Sequence, residues 1–184
     1  MSYHSGNQLI DPYILFEKAK MHPGMHVADF GCGKTGHIVF PASKFVGEMG
    51  VVYAVDILKD ILELIRRRAA MESILNIKTV WADIERDGGV VIAPRTVDVV
   101  FLINVLFHFD DYTASLNEAK RLLKAKGKIV VVDWRQNLAG IGPTPDKMVN
   151  FFEIEQWARK NGFALQDNCD VGPYHRCMIL FRAD

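Results

Sequence analysis

His26-Val-Ala-Asp-Phe-Gly-Cys-Gly-Lys-Thr-Gly36 decides the reading of this chain: a short apolar run, an acid near its end, then glycines at 31, 33 and 36. A β-branched and apolar run too short for a helix predicts a buried strand over 26–30. The glycines let a ligand lie against the backbone where a Cβ would block it, and they open a helical segment. Their G-x-G-x-x-G spacing is shared by many nucleotide binders and by itself names none. Asp29 narrows the choice. A pyrophosphate brings negative charge to such a turn, and an acid two residues before the first glycine opposes it. An ammonium or a sulfonium suits Asp29, and S-adenosylmethionine carries both. The alternative is a plain connecting turn that Asp29 caps.

Two more strand-ending acids extend the pattern. Val51-Val-Tyr-Ala-Val55 ends in Asp56, placed to accept both hydroxyls of a ribose, to cap the helix that starts near Lys59, or to do both. Ile77-Lys-Thr-Val-Trp81 is followed by Ala82-Asp83-Ile84. There Asp83 can accept from the exocyclic amine of an adenine while Ile57 and Ile84 pack on its faces; the competing reading is a surface-loop acid.

With Val97-Asp-Val-Val-Phe-Leu-Ile-Asn-Val-Leu-Phe-His-Phe109 and Leu122-Leu-Lys-Ala-Lys-Gly-Lys-Ile-Val-Val-Val-Asp133, the whole order resembles the class I S-adenosylmethionine-dependent methyltransferases. It is most similar to the small-molecule group that carries N-V-L-x-H after the fourth strand. The resemblance runs from about Met25 to the end. It implies a doubly wound, three-layer, Rossmann-like α/β domain with a seven-stranded, mostly parallel sheet in the order 3-2-1-4-5-7-6 and strand seven antiparallel. It also implies S-adenosylmethionine as cofactor, S-adenosylhomocysteine as product, and a small-molecule methyl acceptor. The cofactor-binding set would be Asp29, Gly31 and Gly33 around the methionine moiety with Cys32 in the same turn, Asp56 at the ribose, Asp83 with Ile84 and Ile57 at the adenine, and Asn104 after strand four at the methionine part, with Val105 and His108 nearby. Two departures stand out. The third glycine comes one place late, which puts Gly36 outside the contact, and Leu123-Lys-Ala-Lys-Gly-Lys128 replaces the family's L-K-P-G-G.

A chain of 184 residues, 49% apolar and without a Pro/Ser-rich linker, reads as one domain over 1–184, with 1–24 as an amino-terminal helix and lid. Lys and Arg number 22, as do Asp and Glu, so no general basic field exists to hold nucleic acid. Arg66-Arg-Arg68 reads as a solvated helix face. Val97–Phe109, the longest apolar stretch, is interrupted by Asp98, Asn104 and His108, so no membrane span or signal peptide is expected and the expected compartment is the cytoplasm. Cys32, Cys169 and Cys177 have no zinc spacing. Cys169 and Cys177 can meet across a turn, which admits a soft-metalloid acceptor, though buried inert thiols are the commoner case. No metal site is expected.

Helices are predicted from Asp11-Pro12 to about Lys20 and over 37–49, 58–72, 111–124 and 146–161, the last capped by Thr144 and stopped by Gly162. Strands are predicted over 26–30, 51–55, 77–81, 97–103, 128–133, 163–168 and 177–182, the last two as an antiparallel hairpin because the loop at Gly172-Pro173 is too short for a crossover.

A sulfonium methyl is already electrophilic, so transfer needs in-line alignment more than acid or base groups, unless the acceptor is a hydroxyl or ammonium that must lose a proton. His108 is the candidate base; its competing role is a packed histidine. Asp133, Trp134 and Arg135 leave strand five at the same edge as candidate acceptor-pocket residues, with Arg135 able to clamp an acidic group. Tyr3 and His4 and the loop 136–145 are the available cover, so the pocket is shallow or is completed by a second chain in a homodimer. Two alternatives to an active methyltransferase remain: an NAD-type dinucleotide-binding oxidoreductase, and a catalytically silent S-adenosylmethionine-binding protein.

Overall fold

The computed structural model describes residues 9–136, 138 and 141–183. Strands β1 (His26–Phe30), β2 (Val51–Asp56), β3 (Ile77–Trp81), β4 (Val97–Ile103), β5 (Leu123–Trp134), β6 (Phe163–Val171) and β7 (His175–Arg182) form one sheet in the order β3-β2-β1-β4-β5-β7-β6. The pairs from β3 to β5 are parallel, and β7 runs antiparallel to both β5 and β6. The helices α1 (Pro12–Lys18), α2 (Val39–Val46), α3 (Lys59–Met71), α4 (Thr113–Leu122) and α5 (Phe151–Lys160) divide between its two faces. Leu15, Phe16, Val39, Phe40, Leu62 and Ile65 pack with Val27, Phe101, Val130 and Val132 on one face. Leu116, Leu122, Ile154 and Trp157 pack with Ala28, Val100, Ile129 and Val131 on the other. A buried central sheet with crossover helices on both sides is the doubly wound arrangement, and the near-continuous apolar runs of β4 and β5 follow from burial on both faces.

Local signals place the helices. Asp11 accepts the Tyr13 N–H at 2.9 Å with Pro12 in the first turn of α1. Helix α3 buries Leu62, Ile65 and Ala69 and presents Arg66, Arg67 and Arg68 outward to Glu63 and Glu72, so the basic triplet is a solvated face. Helix α5 departs from expectation at its start. Thr144-Pro145 opens only a short 3-10 turn over Pro145–Lys147, and Asn150, whose Oδ1 accepts the Phe152 N–H at 3.1 Å, is the true cap. Gly162, at φ 80°, stops it as expected.

Strand β5 begins earlier than expected, at Leu123 opposite Val97; the register then jumps to Val99↔Lys128 across an irregularity that contains Lys126 at φ 62°. The hairpin is also longer than expected. Pairing continues to Val171↔His175, which leaves only Gly172–Tyr174 as the loop and carries β7 up to Trp134.

Between β3 and β4 the chain has no regular structure over 86–92, and α4 holds it in place. The buried Glu118 accepts the N–H groups of Gly88 (3.2 Å) and Val90 (2.9 Å), while Arg121 donates to Glu118 and to the carbonyls of Val90 and Ile92.

Candidate active site

Parallel strands of this topology gather their carboxyl ends at one edge, where the turns after β1, β2, β3 and β4 meet. A cleft of about 420 Å³ opens there, lined by Gly31, Gly33, Asp56, Ile57, Asp83, Ile84, Asn104 and His108 among others. A larger groove of about 620 Å³ lies at the opposite end of the sheet. Its Asn76 is committed to the carbonyls of Ser43 and Gly47, and it gathers no comparable set of acids, so the carboxyl edge is the site.

The glycine turn is tied to the neighbouring strand. Gly31 and Cys32 donate to the Val55 carbonyl at 2.9 and 3.0 Å, and Gly33 donates to Asp56 Oδ2 at 3.1 Å. The other Asp56 oxygen accepts the Leu58 N–H at 2.9 Å, just ahead of α3, so this acid serves both the turn and the helix start. At Gly31, with φ 72°, a Cβ would lie 2.7 Å from Val105 Cγ2; at Gly33, with φ 62°, it would meet nothing within 4 Å. Gly33 therefore opens on the cleft, while Gly31 is confined by the chain that leaves β4. Gly36 serves packing instead: a Cβ there would press on Phe40 and Ile65 at 2.7–2.8 Å, and it is not part of the cleft wall.

The cleft's other wall is Asp83, Ile84 and Glu85, with Asp83 Oδ1 accepting the Glu85 N–H at 3.0 Å. Ile57, 55% exposed, lines the same cleft as Ile84. Asn104, at φ 50°, donates its N–H to the Val132 carbonyl at 2.8 Å, which fixes the exit of β4 beside β5. His108 ends a 3-10 turn (Leu106–His108) with its ring 4.0 Å from that of Phe107, and partial burial holds its pKa below the usual histidine value.

Other expected residues sit differently. Asp29 and Cys32 lie beneath the turn and are not part of the cleft wall. Burial, reinforced by the Asp56 carboxylate, holds the Asp29 pKa well above the usual range, and burial with the same acids raises the Cys32 thiol. Asp133 is fully buried behind the 106–108 turn. Its Oδ1 accepts the Trp134 N–H at 2.9 Å and Oδ2 has no hydrogen-bond partner. Burial pushes its pKa up to about 7, with the Trp134, Phe107 and Leu106 amides opposing. Trp134 is buried against His175. Arg135 pairs with Asp170 on the surface and is not part of the cleft wall. Tyr3 and His4 lie outside the described residues. Cys169 and Cys177 face each other across β6 and β7, but burial raises the Cys177 thiol and keeps it protonated. No metal-ligating cluster occurs among the described residues.

The sequence is matched over residues 21–171 by a family described as methyltransferase domain. The chain belongs to that family. The fold of this methyltransferase is similar to a crystal structure of a SAM-dependent methyltransferase from Aquifex aeolicus (TM-score 0.83, 23% identity, 97% of this chain and 93% of that one covered). It is also similar to a putative type 11 methyltransferase from Sulfolobus solfataricus (TM-score 0.70, 23% identity, 96% and 94% covered). A third similar structure is geranyl diphosphate C-methyltransferase from Streptomyces coelicolor A3(2) in complex with Mg2+, geranyl diphosphate and S-adenosyl-L-homocysteine (TM-score 0.74, 13% identity, 93% and 79% covered). The residues lining the cleft fit S-adenosylmethionine, the cofactor that the sequence resemblance implies: an open glycine for backbone approach, a strand-end carboxylate for hydroxyls, and Ile57 and Ile84 beside Asp83 for a base. Sequence reasoning placed Val105 beside Asn104 but missed Glu85 and Phe109 on the wall, and it left His175 in the hairpin loop.

Proposed function

We propose that the methyltransferase methylates a small, uncharged or weakly charged acceptor by in-line displacement, with His108 as the group that receives the acceptor's proton. When bound, the cofactor supplies a methyl group already activated by its sulfonium. Asp56 would accept the ribose hydroxyls while retaining the Gly33 and Leu58 amides, and Asp83 would accept from the adenine amine between Ile57 and Ile84. Asn104 and Val105 border the methionine end, and His108 stands past them, on the side from which an acceptor enters. A pKa below the usual histidine value keeps its imidazole in the basic form at neutral pH. The reading takes the whole chain, 1–184, as one domain, supported by Leu15 and Phe16 of α1 being fully buried in the same core as β1 and β4.

The single observation that carries this reading is the cleft itself, in which the three strand-exit segments with Asp56, Asp83 and Asn104 converge with His108. A dinucleotide reading meets an obstacle: the Gly33 N–H, a donor that a pyrophosphate would need, is taken by Asp56. Calorimetry with S-adenosylhomocysteine and NADH, followed by labelled-methyl transfer into size-fractionated cell extract, tests the proposal. Binding of S-adenosylhomocysteine with label in the low-mass fraction is expected. Label confined to macromolecules refutes the small acceptor, and tight binding without transfer into any fraction identifies a silent binding protein.

A further inference from the structure

Two rings at the carboxyl end of β5 are built into the sheet with their polar atoms unused. Trp134 and His175 are register partners across β5 and β7, with ring centroids 4.4 Å apart, and are 1% and 0% exposed. Trp134 Nε1 and both ring nitrogens of His175 have no hydrogen-bond partner. The other two tryptophans do have one: Trp81 donates to the Ile57 carbonyl and Trp157 to Asn117 Oδ1. Each unmade bond to a buried polar group destabilises the fold, a cost that apolar side chains at these positions would not carry. Their place is one strand over from the cofactor cleft: the Asn104 amide on its wall is bonded to the carbonyl of Val132, two residues before Trp134.

We propose that Trp134 and His175 form the acceptor-recognition subsite of the methyltransferase and that they select an uncharged hydroxyl group. The inference rests on the cofactor reading above. A neutral imidazole offers one acceptor and one donor nitrogen, and an indole offers one donor. A hydroxyl matches that set, giving its hydrogen to the imidazole and accepting from the indole. Burial holds His175 in the neutral form, so it brings no positive charge to a carboxylate or phosphate. Arg135, the neighbouring cation, is engaged with Asp170, and Arg176 with Asn168. An ammonium finds too few acceptors. The flanking residues Val132, Val171 and Cys177 on adjoining strands are apolar, which suits the hydrocarbon frame of an alcohol or a phenol. Selectivity against an analogue lacking the hydroxyl then arises because the ring nitrogens are left unsatisfied.

The test follows the indole N–H signals of the full-length protein by 15N-edited NMR, with and without S-adenosylhomocysteine; Trp134→Phe assigns the relevant one. Phenol, cyclohexanol and anisole are the probes. Phenol, cyclohexanol or both should shift the Trp134 signal and fix one His175 tautomer, the stronger of the two naming the frame, and anisole should do neither. In His175→Phe the affinity of the responding hydroxyl probe should fall at least tenfold while Tm rises by a few degrees, since an unpaired imidazole has been replaced by an apolar ring. An unmoved Trp134 signal with both hydroxyl probes, an equal response to anisole, or a fall in Tm on His175→Phe overturns the subsite. Failure of S-adenosylhomocysteine to bind would instead condemn the cofactor reading, and the Trp134 signal without it still judges the subsite.

Discussion

The two halves of the carboxyl edge are built on opposite principles. From β1 to β3 the polar groups are already spoken for: Asp56 holds Leu58 and Gly33, Asp83 holds Glu85, and the turn amides hold the Val55 carbonyl. From β5 to β7 the buried polar groups are left over: Asp133 Oδ2, Trp134 Nε1 and the His175 nitrogens. On the proposed function, the first half is a cradle already tied together by these bonds, and such pre-organisation reduces the entropy lost on binding. The second leaves individual buried polar atoms without partners, a pattern expected where specificity matters more than stability.

The most severe disruption of the cradle should come from Gly31→Val. The left-handed backbone there and the 2.7 Å approach of a Cβ to Val105 leave no room, so binding of S-adenosylhomocysteine should vanish by calorimetry. Retained binding would show that the turn can relax. His108→Gln should lower the methyl-transfer rate by about a hundredfold with cofactor affinity unchanged, as general-base loss does; a normal rate per folded molecule would make His108 a wall residue. Asp56→Ala should weaken cofactor binding by about 1.5–3 kcal/mol through the loss of charge-assisted hydrogen bonds, and unchanged affinity would remove it from the ribose. Gly36→Ala should lower Tm through its contacts with Phe40 and Ile65 while the folded fraction binds normally, which separates the packing glycine from the cradle glycines.

The subtlest test of the contrast is pH. The folded pKa of Asp133, about 7, lies above its ordinary 3.8, so its contribution to stability is full below pH 4 and is lost as pH rises to about 7. That of His175, about 4, lies below its ordinary 6.5, so its contribution is full above pH 6.5 and is lost as pH falls toward 4. The two slopes oppose each other. Relative to wild type, the Tm of Asp133→Asn should improve with rising pH, and that of His175→Phe should improve with falling pH, each within those windows. Parallel profiles for both variants would mean that neither group titrates as buried.

How much the sequence disclosed tracks the same division. Strands that end in an acid, and glycines that need left-handed backbone, are local signals, so β1 to β4, the sheet order implied by resemblance and the Asp56–Asp83 wall could all be read. The top of the hairpin could not. Cys169 to Arg176 reads as Cys-Asp-Val-Gly-Pro-Tyr-His-Arg, where Gly-Pro and charged residues mask the alternation that places Val171, His175 and Cys177 on a buried face. Thr144-Pro145 imitates a helix start that Asn150 provides. Arg135 is legible as a cation at the right edge, but its pairing with Asp170 depends on the extended hairpin.

The grip of α4 on the 86–92 segment bears on the cleft from behind. Asp83, Ile84 and Glu85 lead directly into the stretch that Glu118 and Arg121 anchor, and the anchors sit on a helix that packs on the sheet face and not at its edge. Amide exchange at Val90, in a stretch that has no helix or strand, should therefore be as slow as that of α4, because both open together. A change such as Arg121→Ala, outside the cleft lining, would let deuterium into that loop and loosen the Asp83–Glu85 wall in the same event.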